Sequence, residues 1–139
     1  MSATATRTPL SPARVASLLA PPLLVMGAIF VLSGQTSSGD HGFFDVLVRK
    51  LGHVTEYAVL TFLWWRALRG VGAVRDNRTA IAIAVAIAFA YAISDEIHQT
   101  FVDERHGTPV DILIDSVGIA LAALYARRRT LGPSRPSAA

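Results

Sequence analysis

Asp95, Glu96, His98 and Gln99 stand within five consecutive residues, and each is a type that moves protons, holds cations or makes strong hydrogen bonds. They follow residues 79–93, an almost purely apolar run of Ala, Ile and Val with Phe89 and Tyr91. No helix breaker separates the two. A charge at the centre of a membrane helix costs about 2.5–3.5 kcal/mol on the insertion scale, and less towards an interface. Carboxylates at the end of such a helix therefore need partners. Lys50, His53 and Tyr57 share one helical face upstream, with Glu56 one step round from His53. Downstream, Asp111, Asp115 and Gly118 recur at i, i+4 and i+7, and Gly118 lets a neighbouring helix approach closely.

Three chemistries suit such residues. Asp95 or Glu96 with His98 forms a general acid/base set, and Lys50 with Arg105 can hold a phosphate or carboxylate. The spacings His53-x-x-Glu56 and Asp95-x-x-His98 permit a metal on one helix face, but they lack the His-Glu-x-x-His zinc signature. No metal and no cofactor are therefore expected. No serine lies in a nucleophile elbow, so acyl-serine chemistry is not expected either. The plain alternative is structural, because polar side chains also glue membrane helices together. The charge balance argues against that alternative alone. Lys50 and Arg105 bring two positive charges to Glu56, Asp95, Glu96, Asp111 and Asp115. Surplus acids imply protonated groups, a bound cation or a cationic ligand.

The elements that must position these residues are helices. The chain has 139 residues, 52% of them apolar and only 17% charged, with a positive mean hydropathy. The hydrophobicity lies in four separated segments, which predicts an all-α integral membrane four-helix bundle. The first run is 15–32, interrupted by Pro21 and Pro22, which a membrane helix tolerates. It is long for a signal peptide and no Ala-x-Ala site follows, so it is expected to remain as a span. Residues 33–45 read as a loop. Second and third helices are expected over 49–68 and 79–102, with Trp64, Trp65 and Arg66 as an interfacial anchor. The fourth opens on Thr108 and Pro109 and ends at Arg127, Arg128 and Arg129. The membrane domain spans 13–129, between tails at 1–12 and 130–139 that read as disordered. With no cysteine there is no disulfide, thiolate metal site or cysteine nucleophile.

Arginine placement sets the orientation. Arg7, Arg14, Arg66, Arg69, Arg75, Arg78, Arg127, Arg128, Arg129 and Arg135 fall on one side, against Arg49, Lys50 and Arg105 on the other. The positive-inside rule puts both termini in the cytoplasm and makes the protein a multi-pass resident of the plasma membrane. The same arginines explain the pI near 10 without a nucleic-acid partner. Of the ten acids only Asp76 lies on the cytoplasmic side, while His41, His53, His98 and His106 all lie outside.

At these residues the chain resembles the VanZ-like family of small bacterial membrane proteins. The matching elements are Lys50-x-x-His53-x-x-x-Tyr57, then Ser94-Asp95-Glu96-x-His98-Gln99-x-Phe101-Val102, Arg105, and Asp111 leading to Gly118. The resemblance implies a helical membrane domain and, through the family's namesake, a link to glycopeptide (teicoplanin-type) resistance; it brings no established reaction. Asp115 stands where the family has Asn, and Asp103-Glu104 where it often has Pro-Gly. Both changes add negative charge. The function expected is binding of a membrane lipid headgroup, an envelope precursor or an amphiphilic antibiotic at the outer leaflet. The alternative is an enzyme doing acid/base chemistry on an envelope lipid. Residues 50, 53, 56, 57, 95, 96, 98, 99, 105, 111 and 115 form the expected cluster.

Overall fold

A computed structural model of the chain describes residues 10–35, 42–102 and 108–130, the side chains of Asp45 and Thr130 excepted. His41, Arg105, His106 and the greater part of both tails lie outside the described residues. Those residues form four helices and no strand: α1 (Pro12–Ser33), α2 (Phe43–Gly70), α3 (Asn77–Gln99) and α4 (Pro109–Thr130).

Local signals account for the helix ends. Ser11 accepts a hydrogen bond from the Arg14 amide at 3.3 Å, and Pro12 occupies the first turn, where its missing N–H costs nothing. The first helix therefore begins at Pro12, ahead of the apolar run at 15–32. Asp76 caps α3, accepting from the Thr79 amide and the Thr79 hydroxyl, both at 2.7 Å. Those two bonds hold its carboxyl below the usual aspartate range. Gly72, at φ 73°, makes the turn after α2 in the left-handed region that suits glycine.

Two boundaries differ from the sequence reading. The second helix starts at Phe43, not near Arg49, because Phe43, Phe44, Val46, Leu47 and Val48 continue the apolar pattern through a stretch that Gly42 and Asp45 make look like a loop. The third helix ends at Gln99, with Thr100 as its cap, so Phe101 and Val102 form a turn beyond it.

Packing is centred on α2 and α3, each of which touches the other three helices, whereas α1 and α4 do not meet among the described residues. Ile29, Tyr57, Leu60, Ala88, Ala92 and Ile119 form the core. On α3 the buried side is a line of alanines, Ala80, Ala84, Ala88 and Ala92, all fully buried. Small side chains there allow the helix backbones to come close. Large apolar side chains point the other way: Leu24, Leu113, Val31 and Leu121 are more than half exposed. Three helices, α1, α3 and α4, are long and apolar enough to cross a membrane. α2 falls short because Arg49, Lys50, His53 and Glu56 crowd its first turns. Trp64, read from sequence as an anchor, packs against the core, while Trp65 Nε1 donates to Asn77 Oδ1 at 2.8 Å.

The closest helix approach is at Gly118. A Cβ added there would stand 2.1 Å from the Val54 carbonyl oxygen and 3.0 Å from the Ala58 amide nitrogen, so α2 and α4 touch backbone to backbone. Gly118→Ala should therefore force the two helices apart and cost at least the roughly 1–3 kcal/mol of an overpacked core. Gly27→Ala, with nothing within 4 Å of its Cβ, should be neutral or gain roughly 0.5–1 kcal/mol of helix propensity. Thermal melting of the two variants in detergent, beside wild type, checks the contrast.

Candidate functional site

The alanine line of α3 continues directly into the acids. Glu96 is one turn beyond Ala92, and Asp95 and Gln99 extend the same buried side. Asp95 is 4% exposed and Glu96 6%, which places two carboxylates at the end of the bundle core. Burial on this scale is tolerated when hydrogen-bond donors reach the charge.

For Asp95 they do. Ser33 Oγ at the end of α1 donates to Oδ1 at 2.5 Å, and Gln99 Nε2 donates to Oδ2 at 3.0 Å from the next turn of α3. α2 and α4 contribute a ladder on successive turns. Lys50 Nζ lies 3.5 Å from Asp111 Oδ1, and His53 Nδ1 lies 3.1 Å from Asp115 Oδ1. With Asp115 ionised, His53 carries its proton on Nδ1 and donates it. Thr108 Oγ1 donates to the second oxygen of Asp111 at 2.8 Å. The two rungs differ in depth: Lys50 and Asp111 are 43% and 32% exposed, whereas Asp115 is 1% exposed.

Four side chains carry buried polar atoms left over among the described residues. Both carboxylate oxygens of Glu96, the hydroxyl of Tyr57, Nδ1 of His98 and, further along α2, Nε1 of Trp64 have no hydrogen-bond partner. The Thr108 backbone amide faces Glu96 without closing a bond. Glu96 lies within electrostatic reach of Asp95, Asp111 and Asp115, and Tyr57 within reach of Glu56, Asp95 and Asp115. A cleft of about 230 Å³ lies between α1 and α2, lined by Leu32, Ser33, Gln35, Arg49, His53 and Glu56.

Of the residues singled out from sequence, Lys50, His53, Glu56, Tyr57, Asp95, Glu96, Gln99, Asp111 and Asp115 gather at this end of the bundle. His98 meets α1, as Asp95 does, and its ring stacks on Phe30, ring centroids 4.0 Å apart, one turn before Ser33. Its ring sits where Gly34 leaves room, with Cε1 at 3.3 Å from the position a Cβ would take. Arg105 lies outside the described residues. Two residues that the sequence reading passed over belong here: Ser33, at the end of the first apolar run, and Arg49, which lines the cleft with Glu56. A serine ending an apolar helix was the available signal for the first. Among the described residues no three His, Asp or Glu side chains form a metal-binding group.

The described residues form an all-α protein with three helices long and apolar enough to cross a membrane and a buried carboxylate cluster at one end. The family model described as VanZ/LLP1 matches residues 6–130, and the chain belongs to that family. No curated protein and no solved structure matches it.

The two rungs make a paired test. His53→Ala leaves a deeply buried carboxylate without its donor, and removing one partner of a buried pair costs about 3–5 kcal/mol. Lys50→Ala breaks a half-exposed pair and should cost about 0–1 kcal/mol. Chemical or thermal unfolding in detergent should rank His53→Ala well below Lys50→Ala. Asp115→Asn should be tolerated better than His53→Ala, since it removes the buried charge.

Proposed function

We propose that this chain is an integral membrane protein of the bacterial cell envelope, with four spanning helices and both termini in the cytoplasm. Its carboxylate cluster faces the outer leaflet and binds the polar, positively charged part of an amphiphile. Candidates are a lipid headgroup, an envelope precursor or an amphiphilic antibiotic of the glycopeptide type. The observation that carries this reading is the Glu96 carboxylate, buried and without a hydrogen-bond partner among the described residues; the Tyr57 hydroxyl, within reach of Asp95 and Asp115 as Glu96 is, is equally unpartnered. Kept ionised, a buried carboxylate is costly unless a donor or a cation meets it, and a cationic ligand would supply both.

The length of α2 supports the placement. At 1.5 Å per residue its 28 residues extend roughly 42 Å, beyond a hydrocarbon core of about 30 Å. Its polar stretch from Arg49 to Glu56 then lies towards one interface, and Arg66 and Arg69 towards the opposite one. The arginine asymmetry directs the cluster outward.

One observation favours chemistry as a second reading. The 2.5 Å bond from Ser33 Oγ to Asp95 is the geometry in which a carboxylate takes a proton from a hydroxyl. An enzyme would convert labelled envelope lipids into a new species; a binding protein would retain them unchanged.

Asp95→Asn and Glu96→Gln separate a site from structural glue. Membrane hydrogen bonds average about 0.6 kcal/mol, and an amide preserves most of the geometry. Both variants should accumulate in the membrane at wild-type abundance. Neither should restore survival under envelope-targeting antibiotics to a deletion strain. Full complementation by the double variant would return the acids to a structural role.

A further inference from the structure

The opposite end of the bundle holds a second feature, independent of the carboxylate cluster. A groove of about 490 Å³ runs between the first turns of α3 and the last turns of α4, lined by Arg78, Ile81, Ala82, Ala123, Leu124 and Arg127. Its size falls within the roughly 300–1,000 Å³ of ligand clefts. Its floor is apolar and its mouth carries one arginine from each helix. Asp76 is the only acid the sequence assigns to this end, and its carboxylate, within reach of the Arg78 charge, is engaged by Thr79.

We infer that this groove is a binding site for an anionic phospholipid, with the lipid phosphate between Arg78 and Arg127 and an acyl chain along Ile81, Ala82, Ala123 and Leu124. Charge complementarity selects the occupant. A guanidinium forms paired, charge-assisted hydrogen bonds to phosphate oxygens, and basic pockets between helices at a cytoplasmic interface suit anionic headgroups. A free anion would use the two arginines but leave the apolar floor unused, whereas a zwitterionic lipid would use the floor but bring its own cation beside two guanidinium groups. The alanines at 82 and 123 keep the groove open, since larger side chains at either position would fill it.

The test uses the full chain in a neutral detergent, titrated with phosphatidylglycerol, with phosphatidylcholine of the same acyl chains, and with inorganic phosphate. Thermal stabilisation and retained lipid in native mass spectrometry are read together. Phosphatidylglycerol should stabilise and co-purify, and the other two should not. Arg78→Gln with Arg127→Gln should weaken phosphatidylglycerol binding about thirtyfold, at roughly fivefold per arginine. Ala82→Trp, which keeps both arginines and fills the groove, should displace the lipid and decides the matter if the double variant fails to fold. Arg14→Gln with Arg66→Gln removes the same charge elsewhere and should leave binding within about twofold. Equal loss in that control, equal stabilisation by inorganic phosphate or by phosphatidylcholine, or unchanged binding in Ala82→Trp would each overturn the inference.

Discussion

A carboxylate can sit at the end of an apolar helix bundle only where a donor reaches it, and that requirement governs this structure. Asp95 takes hydrogen bonds from Ser33 on α1 and from Gln99 on its own helix. Asp115 takes one from His53, and Asp111 is met by Lys50 and Thr108. Every helix contributes to this end of the molecule, so the cluster is also the place where the four helices are tied to one another. Glu96 is the exception: buried, it lacks a bond of its own among the described residues.

Donors reach those acids only because the backbones are close. Gly118 lies one turn beyond Asp115 on α4, and its contact with Val54 and Ala58 fixes the separation of α2 and α4 beside the His53–Asp115 pair. The alanines of α3 do the same for the other interfaces. Small residues and acids are thus two parts of one design: the first sets the distance across which the second are neutralised. Such contacts are stiff, which lets a buried ionic pair keep its geometry without a large hydrophobic core.

Much of this was legible in the residues. Four apolar runs, the helix start at Thr108 and Pro109 and the helical spacing of Lys50, His53, Asp111 and Asp115 foretell which faces meet, because charge complementarity and period 3.6 both point that way. The i, i+4 relation of Asp95 and Gln99 likewise becomes a hydrogen bond. What was not legible depends on neighbours that spacing does not reveal. His98 shares a helical face with Asp95, and its ring stacks on Phe30 from a helix far away in sequence. Ser33 reads as the start of a loop, and only the packing of α1 against α3 brings its hydroxyl to Asp95. The early start of α2 was hidden by Gly42 and Asp45, which carry the local signature of a turn.

The central claim is that the Glu96 carboxylate and the Tyr57 hydroxyl are completed by a bound amphiphile. The most direct measurement is an experimental structure determined in native lipid. The account predicts density that is not protein at this end of the bundle, with an atom about 2.7–3.2 Å from a Glu96 carboxylate oxygen. Both Glu96 oxygens closed by the protein's own donors, Arg105 for instance, with no such density beside Tyr57, would contradict it.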